Sequence, residues 1–334
     1  MGRRVKEIIV VSLFAAFCII VYVMKVTGKM SGVRFSPAVS ILVIILLGLS
    51  LLIILVFTLR GKMVGRQVVF LYVAIAVSLP LFMSVTQHIR ISPEVQTLYD
   101  GLDSLKPGSK VLASFDYDPP SAPELQPMAV SFFRYCFDHD LKVIIMGLWP
   151  QGPQQADLAL ETVFKNPKYK NLKYGVDYVN LGFQTGNEFV IQRMGDDFRS
   201  MFATDYSGRA YDDIPLLKNV KNFSNIDYVF NLSAGYPGTV EWVQVGVDRY
   251  GVTLGAGNTA VQAPQCYPYL RSGQLRGILG GMNGAAEFEE LTGTPGKGTQ
   301  FMLSQSFAHM IVIAFIIIGN VAFFKTGRKS KLKA

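Results

Sequence analysis

Four uncharged apolar runs, residues 8–24, 38–59, 68–85 and about 308–324, frame one long polar middle. Each is 17 to 22 residues long, the length a helix needs to cross the hydrocarbon of a bilayer. Three runs lie together near the start of the sequence and one lies near its end. The pattern predicts three transmembrane helices with short basic loops over residues 1–87, a water-exposed domain over 88–300, and a last transmembrane helix with a basic tail over 301–334. The expected surroundings are the lipid bilayer of a cell membrane, crossed several times.

Charge gives the expected orientation. The net charge of +8 is unevenly spread: outside residues 88–300 stand fourteen Lys and Arg against the single acid Glu7, while the middle carries 18 basic and 23 acidic residues. The alkaline isoelectric point therefore belongs to the membrane flanks. A mildly acidic domain lacks the positive surface that phosphate binding requires, so nucleic acid is excluded as a partner. Basic tails stay in the cytoplasm, and the five charges after Phe324 accordingly place both termini inside and the middle domain outside. The first run is too long for a cleaved leader and has no small-x-small site before Lys25, so it is read as a retained anchor.

The polar middle alternates strand and helix. Compact apolar runs at 110–115, 142–148, 177–183, 226–232 and 252–256 read as strands. Between them, 124–140, 154–164 and 187–202 carry apolar residues at helical spacing, and Pro237 is placed as a first helical residue before the stripe Val240, Val243, Val247 and Tyr250. Five strands of continuous rather than alternating apolar character imply a parallel sheet covered on both faces. The expected fold is α/β, a doubly wound, Rossmann-like or flavodoxin-like layer.

Three strand ends could hold chemistry. Asp116 and Asp118 close the first strand, where open α/β sheets bind ligands. This Asp-x-Asp resembles the opening motif of haloacid-dehalogenase-type phosphatases, which implies Asp116 as nucleophile and Asp118 as acid. The pattern departs from that family at Met146-Gly147, where a serine or threonine belongs, and in Pro119-Pro120. Gly195-Asp196-Asp197 falls inside the expected 187–202 helix and cannot present carboxylates from a strand end. The default role is therefore an Asp cap and turn. The second place is Ser233-Ala234-Gly235-Tyr236-Pro237-Gly238, a strand-to-helix turn whose free amides suit an anion. The third is Gly255-Ala256-Gly257-Asn258-Thr259 after the fifth strand. Asp116, Asp118, Ser233, Gly235, Asn258 and Thr259 thus form the candidate ligand set.

Residues 272–291 are rich in glycine. On a helix, Gly277, Gly281 and Ala285, with Gly280 and Gly284, would leave a groove of bare backbone for another helix. Packing onto the domain's own sheet is the plainer reading of that groove, and a subunit interface is the alternative. Cys136 and Cys266 are the two thiols of the middle domain, and Cys136 is expected buried and free. Asn231, although in a sequon, sits in an apolar strand and is expected to be inaccessible. No spacing suggests a metal, no cofactor can be named, and the spans hold no intramembrane charge of the kind that marks an ion path. No catalytic set is complete. The sequence therefore favours a non-catalytic subunit of a membrane assembly, joined to copies of itself or to other membrane subunits. The competing reading is a ligand-binding or Asp-dependent hydrolytic domain built on Asp116 and Asp118.

Overall fold

The computed structural model describes residues 37–60, 65–78 and 89–331, together with Ser12, Ala16 and Val23. The chain divides into two compact units, one of residues 1–88 with 300–334 and one of residues 89–299.

In the first unit, two helices are long and apolar enough to cross a membrane, over Ser40–Leu59 and Lys297–Phe324. Many of their large side chains are uncovered: Leu52 is 58 % exposed and Ile316 57 %. Water penalises a continuous apolar surface of this kind, whereas lipid does not. A third helix, Arg66–Ser78, is apolar but only 13 residues long. Ala76, Phe307 and Ile311 form a small buried seam with Ile44, Leu47 and Tyr72 packed against it. The expected first span lies outside the described residues apart from three single positions, and the 68–85 run is described only as far as Ser78.

The second unit is an α/β domain. Its elements are α1 (Pro93–Asp103), β1 (Lys110–Asp116), α2 (Ala122–Asp138), β2 (Lys142–Gly147), α3 (Gly152–Phe164), β3 (Tyr178–Phe183), α4 (Glu188–Asp196), β4 (Tyr228–Ser233), α5 (residues 239–250), β5 (Leu254–Asn258), α6 (Ala263–Arg271), β6 (Ile278–Gly280) and α7 (Gly281–Leu291). The six strands form one sheet in the order β3-β2-β1-β4-β5-β6, and every pairing is parallel. Alternation along each strand feeds two apolar clusters. Val111, Ala113, Phe115, Phe230 and Leu232 pack on one face with α1, α2, α3 and α7, while Leu112, Ile144, Val229 and Ala256 pack on the other with α4, α5 and α6. Phe132 stacks on Phe230 at 4.2 Å between ring centres, a contact worth about 1 kcal/mol beyond its buried area. Cys136 and Cys266 are buried and free and belong to opposite clusters.

Several expected elements are revised. The 187–202 segment is not one helix. It breaks at Asp197, which is extended (φ −159°, ψ 113°) and caps the short helix Phe198–Met201 through its side chain. Helix α5 begins at Thr239 rather than Pro237, because Gly238 takes the N-cap and donates its N–H to Glu241. The fifth strand runs two residues further along than expected, so Gly255 to Asn258 lie within it and not after it. Helices α1 and α6 add to the elements expected from the sequence.

The glycine-rich segment is also broken. Gly277 precedes β6, Gly280 ends it, and Gly281 opens α7 with φ +57°. The five small residues therefore do not share one helical groove. Each instead meets its own domain: a Cβ on Gly277 would lie 2.4 Å from the Leu98 amide nitrogen, and one on Gly284 2.7 Å from the backbone of Leu279. Gly280 lies beside Ala263, Gly281 beside Ala260 and Glu124, and Ala285 is fully buried. Helix α7 gains its place through two buried carboxylates. Glu287 accepts the Ser92 N–H (2.7 Å) and hydroxyl (2.5 Å) ahead of α1, and also the Asn283 side-chain amide. Glu289 accepts the amides of Gly296, Gly298 and Thr299 at 2.8 to 2.9 Å. These are orphan donors at the start of the closing helix Lys297–Lys331. One helix thus ties down both ends of the domain.

Because the Gly277 contact is with backbone, Gly277→Ala cannot be relieved by a rotamer change. Overpacking of this kind costs about 1–3 kcal/mol. The variant is expected to melt several degrees below wild type, as followed by circular dichroism in detergent, and an unchanged melt would refute the close packing of α1 on β6.

Candidate functional site at the carboxyl ends of the strands

The strand order reverses between β1 and β4, the place where open parallel sheets form a crevice. Register decides what lies there. Ser114 pairs with Asn231, Asp116 with Ser233, and Ser233 with Asn258. Alternation then puts all five on the face that carries Leu112, Val229 and Ala256. They make a polar patch across three neighbouring strands, and each is completely buried.

Their polar atoms are used by one another. Asp116 Oδ1 accepts the Leu148 N–H at 2.7 Å, and its Oδ2 accepts the Ser114 hydroxyl at 2.8 Å and the Asn231 side-chain amide at 2.6 Å. Thr239, the first residue of α5, donates its hydroxyl to Asn231 Oδ1 at 2.7 Å and accepts Asn258 Nδ2 at 2.8 Å. The chain of bonds therefore runs from β2 through β1 and β4 to α5 and β5. Ser233 Oγ lies 3.0 Å from the Gly235 carbonyl and 3.1 Å from Gln262 Oε1, and the Gln262 amide also reaches the Gly235 carbonyl. Thr259 joins through its backbone, donating its N–H to the Ser233 carbonyl. Gly238 passes so close that a Cβ there would lie 1.9 Å from Ser233 Oγ. The Ala234 N–H donates to the Asp116 backbone carbonyl, the last rung between β1 and β4.

Burial raises the pKa of Asp116 from 3.8 to about 7, against the lowering effect of its hydrogen bonds. The Trp242 indole also acts to lower it, yet Nε1 completes no hydrogen bond of full geometry. Asn258 Oδ1 is likewise buried without a partner. These are two unused polar atoms, one donor and one acceptor, on residues packed about one network.

Of the candidate ligand set, Asp116, Ser233, Gly235, Asn258 and Thr259 meet here, and Asp118 does not join them. It is partly exposed, accepts the Ser121 hydroxyl at 3.0 Å and starts the turn Pro119–Ser121. It thus stands at the turn, while its side chain makes no cap bond to the backbone. The phosphatase-like pairing of the two carboxylates is not formed, since both oxygens of Asp116 are occupied and inaccessible. Gly195-Asp196 ends α4, with a Cβ at Gly195 only 2.1 Å from the Tyr250 ring. Ser114, Asn231, Thr239, Trp242 and Gln262 were missed as partners in this network. The available signal was a polar residue two positions before each strand-end Asp116 and Ser233. Among the described residues no group of three or more His, Cys, Asp and Glu is placed to hold a metal. Protein-family models, curated proteins and solved structures gave no match to this chain.

The raised pKa has a signed consequence. Between pH 3.8 and about 7 the unfolded chain has lost the Asp116 proton and the folded domain keeps it. Stability from this group therefore falls as pH rises through that window, by up to about 1.4 kcal/mol per unit. Asp116→Asn retains a neutral, hydrogen-bonding side chain. Its melting temperature should fall less than that of wild type between pH 5 and 8. Parallel curves for the two proteins would mean that Asp116 is already ionised at pH 5.

Proposed function

We propose that the protein is a non-catalytic interaction subunit of a membrane-bound, oligomeric assembly. Its α/β domain is a doubly wound, Rossmann-like layer held outside the cytoplasm by about four spans, with both termini inside. The observation that carries this reading is the closed network around Asp116. An active site keeps a nucleophile, acid or base within reach of substrate. Here both carboxyl oxygens of Asp116, at the most favoured position of the sheet, are bonded to Leu148 N–H, Ser114 and Asn231, and the side chain is completely buried. Dinucleotide-binding layers with this strand order place glycines directly after β1 to admit a pyrophosphate. This chain has Asp116-Tyr117-Asp118-Pro119-Pro120 there, which offers no such cradle. The membrane part of the proposal is supported by the two long apolar helices, by the four uncharged runs and by the concentration of Lys and Arg beside them.

A second reading, a domain that binds a small polar molecule, is favoured by one observation. Asn258 Oδ1 and Trp242 Nε1 are buried without partners, and buried polar atoms ordinarily have one.

Native mass in a mild detergent separates the two, since a defined multimer fits the assembly and a monomer that retains a small molecule fits the binding domain. Sidedness is tested on intact cells. A cysteine introduced at Lys170 should react with a membrane-impermeant maleimide, and one introduced at Lys331 should not. Protection of the first with labelling of the second would overturn the outside placement.

A further inference from the structure

In a wholly parallel sheet every connection that enters a strand lies at one end and every connection that leaves one lies at the other. The two ends of this domain differ sharply in charge. The stretches that leave β1 to β5, residues 117–124, 148–151, 184–188, 234–241 and 259–262, contain Asp118, Glu124, Glu188 and Glu241 and neither Lys nor Arg. They also expose apolar surface, with Tyr236 62 % and Val261 85 % accessible, and Tyr236 donates its hydroxyl to Glu188 at 3.0 Å. The opposite end carries Asp140, Asp177, Asp212, Asp213 and Asp227, yet two of its stretches are lysine-rich. Residues 165–173 carry four lysines and no acid, and Lys218 and Lys221 precede β4. The Leu216 N–H donates to the Gly175 carbonyl at 2.9 Å, which brings these two stretches together. Lys165, Lys170, Lys218 and Lys221 are exposed and form no salt bridge among the described residues.

Helix dipoles account for part of this, since Glu124, Glu188 and Glu241 lie in first turns and Lys165 at a C-cap. They account less for Lys170 and Lys218, which cap single three-residue 3-10 turns, and not for Lys221. We propose that the acidic, aromatic rim at the carboxyl ends of the strands in one copy docks on the lysine face of the next. Such a contact is head-to-tail, so it builds a ring where the rotation closes and a filament where it does not. The inference rests on the oligomeric reading above and names the surfaces that would serve it.

The test is native mass of the full-length protein in a mild detergent, with melting temperature as a check on folding. The expected wild-type result is a multimer. Reversing Lys165→Glu, Lys170→Glu, Lys218→Glu and Lys221→Glu together should reduce the mass to that of one 36.9 kDa chain. Asp118→Lys with Glu188→Lys should do the same, and a mixture of the two variants should regain the multimer, because each now complements the other. A wild-type monomer would overturn the oligomeric reading itself. A wild-type multimer whose mass no reversal changes would overturn only this interface. Loss on reversing the lysines alone, without loss at the acidic rim or recovery on mixing, would mean that the lysine face meets another acidic surface, and would overturn the head-to-tail contact.

Discussion

The constraint on which the α/β domain depends is that a parallel sheet cannot leave either face in water. All five strand pairings are parallel, so each strand must supply apolar side chains in both directions and each connection must return across a face. That requirement produces the helices on both sides and the two separate apolar clusters. It also gathers every connection that leaves a strand at one end, which is why polar groups distant in sequence meet beside Asp116. The two buried glutamates of α7 complete the arrangement by fixing the chain where it enters and leaves the domain.

Much of the sheet was legible because continuous apolar runs between helical stripes have few other solutions. Strands β1 to β4 appear within about two residues of where the pattern put them, and Asn231 is buried as expected. The misreadings have physical causes. β6 is three residues of Ile, Leu and Gly, too short to show a period, and the small residues around it read equally well as a helix. Gly281 adopts φ +57°, a conformation that starts α7 afresh and that spacing alone cannot reveal. The break at Asp197 depends on its side chain capping Arg199 N–H, a local competitor to continued helix.

The candidate site was half legible. Strand ends pointed to Asp116, Ser233 and Asn258, and the structure brings them together. What spacing could not say is whether they face an open crevice or one another. That depends on Asn231, legible in sequence only as a buried sequon residue, and on Thr239, and both become links only when β4 lies between β1 and β5. A carboxyl group completely buried and bonded to three donors ties neighbouring elements together. It is poorly placed to attack anything.

The claim that this network is closed can be examined directly. The folded protein, in detergent at pH 6, is treated with a water-soluble carbodiimide and an amine, and the modified carboxyl groups are mapped by mass spectrometry after digestion. The account predicts coupling at Glu188, which is exposed, and none at Asp116, which is completely buried, until the protein is unfolded. Coupling at Asp116 in the folded protein, at a rate near that of Glu188, would show an open carboxylate at the head of the crevice and would contradict the non-catalytic reading.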